Sequence, residues 1–120
     1  MKTTIFAKSS SQQGLAYAVN ISIDDRVFRI DCACPAGTHG LLCKHIISIL
    51  NGNKGILFDP TQGDELAEIT HIISKSEIMK DFLAFNSQRL EIEKEQRALK
   101  EQLRVLKLDF TMKMTHGIKL

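Results

Sequence analysis

Cys32-Ala33-Cys34-Pro35-Ala36-Gly37-Thr38-His39-Gly40-Leu41-Leu42-Cys43-Lys44-His45 is the stretch that decides how this chain folds. It holds all three cysteines and sets an imidazole two positions after the last, so the donors come as two close pairs with eight residues between them. Three thiols and an imidazole are the donor types of tetrahedral zinc. The residues before them, Met1 to Ile5, include no apolar run suited to an export signal, and nowhere is there the roughly 18-residue apolar stretch of a membrane span. An intracellular, cytoplasmic setting is therefore expected. An odd number of cysteines in a reducing compartment disfavours a structural disulfide and favours metal binding. Thiol redox chemistry would need an accessible, metal-free cysteine and is the weaker use of this set.

The secondary structure around the two pairs supports one shared ion. Thr3 to Lys8, Leu15 to Ile23 and Arg26 to Cys32 read as short strands, the first closed off by the loop Ser9-Ser10-Ser11-Gln12-Gln13-Gly14. In the second strand Leu15, Tyr17, Val19, Ile21 and Ile23 alternate with Ala16, Ala18, Asn20 and Ser22, the period of a strand with one buried face. Asp24-Asp25 is the expected hairpin turn, after which Phe28, Ile30 and Cys32 share a face. Cys32 and Cys34, two apart in extended chain, can point to the same side. After a loop from Pro35 to Gly40, Cys43 to Leu50 reads as a short helix whose Ile46, Ile47, Ile49 and Leu50 can cover the sheet. Residues two apart within a helix diverge by about 200°. Cys43 and His45 are therefore expected to straddle the helix start, where backbone N–H groups favour thiolates.

All four coordination positions are then filled by protein, as in a structural site, and no Asp or Glu lies within the segment to act as a general base. Three thiolates, a neutral imidazole and Zn2+ leave one negative charge, which Lys44 is placed to offset. His39 could replace His45 in principle, but the close Cys43/His45 pairing favours His45. His71, beside Ile72 and Ile73, reads as a packed or surface residue, and His116 as a helix-end residue suited to the dipole.

Cys32-Ala33-Cys34-Pro35, a loop ending Gly40-Leu41-Leu42, and Cys43-Lys44-His45-Ile46-Ile47-Ser48-Ile49-Leu50 together resemble the SWIM zinc finger. The resemblance spans roughly Val19 to Leu50. It implies one structural zinc held by Cys32, Cys34, Cys43 and His45 in a strand-strand-helix unit. It also implies a module that binds DNA or protein. The SWIM finger occurs beside Swi/Snf-type ATPases, in Mutator-type transposases and in MEK-kinase relatives, and none of those catalytic domains accompanies it here.

Downstream the sequence is helical. Asn51-Gly52 ends the short helix, Gly55 to Phe58 reads as a brief extended segment, and Asp59-Pro60 as a turn. Asp64 is a candidate cap for a helix bearing Leu66, Ile69, Ile72 and Ile73. Ser74 and Glu77 fit a capping box that opens a helix running to about Thr115, with Gly117 past its end. Within it Phe82, Phe85, Ile92, Leu99, Leu103, Leu106 and Phe110 recur at alternating steps of three and four, with Arg89 and Gln96 in the two polar places. That is either a coiled-coil seam between copies or a helix packed back on its own chain. Gln96 leans towards a homo-oligomer, because a polar residue at such a position fixes register.

The 120 residues, 43% hydrophobic and 25% charged, make an ordinary globular composition with room for one modest core. Residues 1–75 carry seven basic and seven acidic residues and residues 76–120 nine and seven, so no basic block points to nucleic acid. The expected fold class is α+β, a small hairpin-and-helix zinc finger with an N-terminal strand followed by helices including a long C-terminal one. Residues 1–55 are expected to form the finger domain and 56–120 a helical arm. The expected function is non-enzymatic, with a protein partner or self-association through the arm. The alternative is weakly specific DNA binding through Arg26, Arg29, Lys44 and Lys54.

Overall fold

A computed structural model describes all residues, Met1–Leu120. Three antiparallel strands come first: β1 (Lys2–Lys8), β2 (Ala16–Asp24) and β3 (Val27–Cys32), in sheet order β1-β2-β3. A one-turn helix α1 (Pro35–Thr38), then α2 (Lys44–Leu50), two 3-10 turns (Lys54–Ile56 and Pro60–Gln62), α3 (Gly63–Ser74) and α4 (Glu77–His116) complete the chain. The sequence-based reading of an N-terminal sheet followed by helices, the last of them long, matches this order. Two compact units are present, Met1–Met79 and Lys80–Leu120.

The sheet follows from alternation. Ile5 and Ala7 of β1, Val19 and Ile21 of β2, and Cys32 of β3 are buried, while Asn20, Arg29 and Asp31 face solvent. Helix α2 contributes Ile46, Ile49 and Leu50, and α3 contributes Leu66, Ile69 and Ile73 to the same core. Ile72, expected on the buried side of α3, is exposed.

The hairpin turn differs from expectation by one position. Asp24 pairs with Val27, so the turn residues are Asp25 and Arg26, with φ of 46° and 64°. Both values are positive, as a type I′ turn requires. A turn at Asp24-Asp25 would set Arg26 opposite Ile23 on the core-facing side; the observed register instead gives Ile23 Phe28 and Ile21 Ile30.

Four other local readings also change. The stretch after Cys34, expected to be irregular, makes the single turn of α1, because Pro35 is preset for a first helical position and Cys34 accepts a hydrogen bond from the Gly37 N–H. Lys54–Ile56 is 3-10 rather than extended, and only then does Leu57 form a bridge with Ala7. Asp64 lies in the first turn of α3 rather than capping it; Asp59 accepts from Thr61 N–H and starts the 3-10 turn that leads into α3. Ser74 does not form a capping box: its hydroxyl donates back to the His71 carbonyl, and α4 starts at Glu77.

Strand β1 is an edge strand, and its open side is closed by groups that sequence patterning did not reveal. The Gln62 side chain accepts from Phe6 N–H at 3.0 Å and donates to the Thr4 carbonyl at 2.8 Å, acting as a one-residue substitute strand. The Phe58 N–H adds a bond to the Phe6 carbonyl at 2.9 Å. Gln62 is itself buried, so its loss leaves two part-buried strand groups without their partner. Gln62→Ala is expected to destabilise the folded protein by about 2 kcal/mol. Urea unfolding of the zinc-loaded protein measures this, and an unchanged midpoint would refute the edge-sealing role.

Candidate metal centre

The two donor pairs reach one place by two routes. Cys32 ends β3 on the inward face, and Cys34 follows it in extended conformation as the cap of α1. Cys43 occupies the N-cap of α2, and His45 sits in its first turn, so the pair straddles the helix start as the spacing requires. All four side chains are buried and their ligand atoms lie within 4.8 Å of one another. No disulfide forms among the cysteines. His39 is exposed in the loop, and His71 in α3 and His116 in α4 are exposed too; all three lie outside the cluster.

The donor set fits zinc. With Zn–S near 2.3 Å and Zn–N near 2.0 Å, a tetrahedral site separates sulfur from nitrogen by about 3.5 Å. Cys32 Sγ and His45 Nδ1 stand 3.7 Å apart. The other nitrogen, Nε2, lies 3.1 Å from the Lys8 carbonyl oxygen, an acceptor only. Nε2 therefore carries the proton and donates it to Lys8, which leaves the Nδ1 lone pair facing the thiols. The end of β1 thus sets the tautomer of a residue 37 positions later. Tyr17 lies over the same ring, 5.4 Å between centroids.

Electrostatics separate the three thiols. Burial pushes the Cys32 thiol up to about 12; the backbone N–H of Cys34 works against the rise, and the side chains of Cys34 and Cys43 add to it. Burial also opposes ionisation of Cys34, yet its pKa is lowered, because the Gly37 N–H and the hydrogen bonds of Cys32, Cys43 and Ala36 together outweigh it. Burial lowers the pKa of His45, the Lys8 carbonyl works against this, and the Lys44 charge reinforces it. A neutral imidazole is the form that binds metal. Lys44 itself donates to the Ser10 hydroxyl, which holds its ammonium beside the cluster.

Gly37 is the tightest point of the site. A Cβ there would stand 2.1 Å from the Cys32 carbonyl oxygen, so only glycine lets α1 close against the ligand-bearing strand. The spacing of cysteine and histidine residues gives no signal for Gly37, Tyr17, Ser10 or the Lys8 carbonyl, since Gly37 and Lys8 act through backbone groups and Tyr17 and Ser10 touch residues of α2 far along the chain.

Residues 17–51 match the SWIM zinc finger family. That segment is a SWIM zinc finger. It contains β2 from Tyr17 onward, β3, α1, α2 and all four donors, while the SWIM match does not extend to β1, α3 or α4. No curated protein and no solved structure matches the chain. The Cys3His cluster is consistent with one structural zinc, and no helix is long and apolar enough to cross a membrane.

Metal binding and folding of such a site share one free energy. Cys34→Ala and His45→Ala are expected to lose zinc and to unfold the β-sheet unit, read as loss of its cooperative thermal transition; unchanged melting would contradict a structural metal. Gly37→Ala, which removes no donor, is expected to weaken zinc retention against a chelator at least tenfold, and retention equal to that of the parent would contradict the steric account. Acid should also release the metal. The folded state holds the His45 pKa below its ordinary value, so its contribution is complete above about pH 6.5 and declines as pH falls through the folded value. Zinc content measured from pH 7 downward should fall only on the acid side of that point, and release on raising the pH would have the wrong sign.

Proposed function

We propose that this protein is a non-enzymatic zinc-organised docking module, in which the SWIM finger presents a loop to a protein partner and the long helix serves as an assembly arm. The observation that carries this reading is the pair Leu41 and Leu42, exposed by 62% and 48% between two buried ligand segments. Apolar side chains next to a rigid metal site lose little entropy on contact and suit a protein surface. Pro35, Thr38 and His39 are exposed beside them and carry no fixed charge. A closed set of four protein donors leaves no position for a reacting water, which supports a structural use of the metal.

DNA binding is the second reading, favoured by the SWIM match and by the net positive charge of +2. The four cations that would form the footprint are spread over the surface. Arg29 borders a depression with Lys2 and Asp31, Lys44 one beside the finger, Arg26 one at the hairpin end, and Lys54 others near α3. Such scatter supports the protein reading, because phosphate contact is strengthened by a continuous basic track.

Leu41→Asp/Leu42→Asp is the discriminating variant. It should keep its zinc and thermal transition but lose the protein that the parent retains by cross-linking in extract from its own cells. Labelled duplex should shift weakly or not at all. A duplex shift that falls steeply with salt and is unaffected by the leucine changes would overturn the protein reading in favour of DNA.

A further inference from the structure

Helix α4 carries an exposed apolar stripe. Phe82 is buried, but Phe85, Ile92, Leu99, Leu103, Leu106 and Phe110 are all exposed, Leu99 by 63% and Leu106 by 66%. These fall on one face with Arg89 and Gln96, and the helix holds its 40 residues without a proline or glycine. In heptad terms Phe82, Arg89, Gln96, Leu103 and Phe110 occupy the a positions, and Phe85, Ile92, Leu99, Leu106 and Lys113 the d positions.

We infer that the occupant of this stripe is a second copy of the same helix, in parallel and in register. The inference rests on reading α4 as the assembly arm and adds the identity and direction of its partner. The flanking charges supply the direction. The g column reads Asp81, Gln88, Glu95, Gln102, Asp109, and the e column Asn86, Glu93, Lys100, Lys107, Met114. In a parallel pair each g residue meets the e residue five positions on in the partner helix. Glu95 then meets Lys100 twice by symmetry, and no g–e pair brings like charges together. In an antiparallel pair g meets g, and that column holds three acids and no base, so it repels itself. Neither Glu95 nor Lys100 has an ion-pair partner within the chain.

The seam residues agree. In parallel register Gln96 faces Gln96 of the other copy, where two amides satisfy each other; an antiparallel pair puts an a residue against a d residue, and Gln96 would face an apolar one. Arg89, the one charge near the middle of the seam, is drawn to the e column: its guanidinium donates to Glu93 Oε1 at 2.9 Å and to Asn86 Oδ1 at 2.7 Å. Two copies thus bring neutralised rather than bare arginines into adjacent positions.

Sedimentation equilibrium of the full zinc-loaded chain tests this with three proteins. The parent should be a dimer, Glu95→Lys should dissociate about tenfold more readily, and Glu95→Lys/Lys100→Glu should recover the parent affinity. A dimer that Glu95→Lys leaves unchanged or tightens overturns the parallel pairing while leaving the assembly arm standing. A parent that is monomeric at every concentration overturns both, and a larger oligomer overturns the two-stranded pair. Zinc content should be equal in all three.

Discussion

Four buried donors meet at the junction of a strand end and a helix start, and the fold around them is organised to keep them there. Burial alone is unfavourable for such groups: it drives the Cys32 thiol up to about 12 and would leave three sulfurs and an imidazole crowded without water. A divalent ion reverses that balance by favouring the thiolate and the neutral ring. The small core of Ile5, Val19, Ile21, Ile49, Leu66 and Ile69 supplies one face of the sheet, and the metal joins the far end of that sheet to α2. A core of this size gains from such a staple.

The surroundings of the cluster do separate work on its ligands. Gly37 gives its N–H to Cys34 and its missing side chain to the Cys32 carbonyl. The Lys8 carbonyl fixes which His45 nitrogen is free. Lys44, held by Ser10, places a positive charge next to a site whose ligands sum to a negative one. These groups come from β1, the following loop and α1, so the finger depends on a strand that lies outside its family match.

Legibility in the sequence tracked the range of the forces involved. The three strands and the inward set of Val19, Ile21 and Cys32 were readable because alternation is local and has one period. The donor quartet was readable because ligands two apart on a strand and at a helix start leave a fixed spacing. Long α4 was readable almost to its last residue, since nothing in Glu77–His116 breaks a helix and Gly117, at φ +98°, stops it. The turn at Asp25-Arg26 was displaced by one position because register is settled across the strands, by keeping Arg26 from facing Ile23. Gln62 and the Lys8 carbonyl were invisible, since one acts 56 to 58 residues away and the other through its backbone. The Ser74 capping box failed because a hydroxyl at a helix end can equally donate to the preceding turn, as Ser74 does to His71.

Zinc X-ray absorption on the purified chain addresses the central claim most directly, since it reports the donor atoms around the ion. A closed structural centre made by Cys32, Cys34, Cys43 and His45 predicts three sulfur scatterers at about 2.3 Å and one nitrogen at about 2.0 Å, with one zinc per chain. A shell containing a water oxygen, or two sulfurs and two nitrogens, would contradict it.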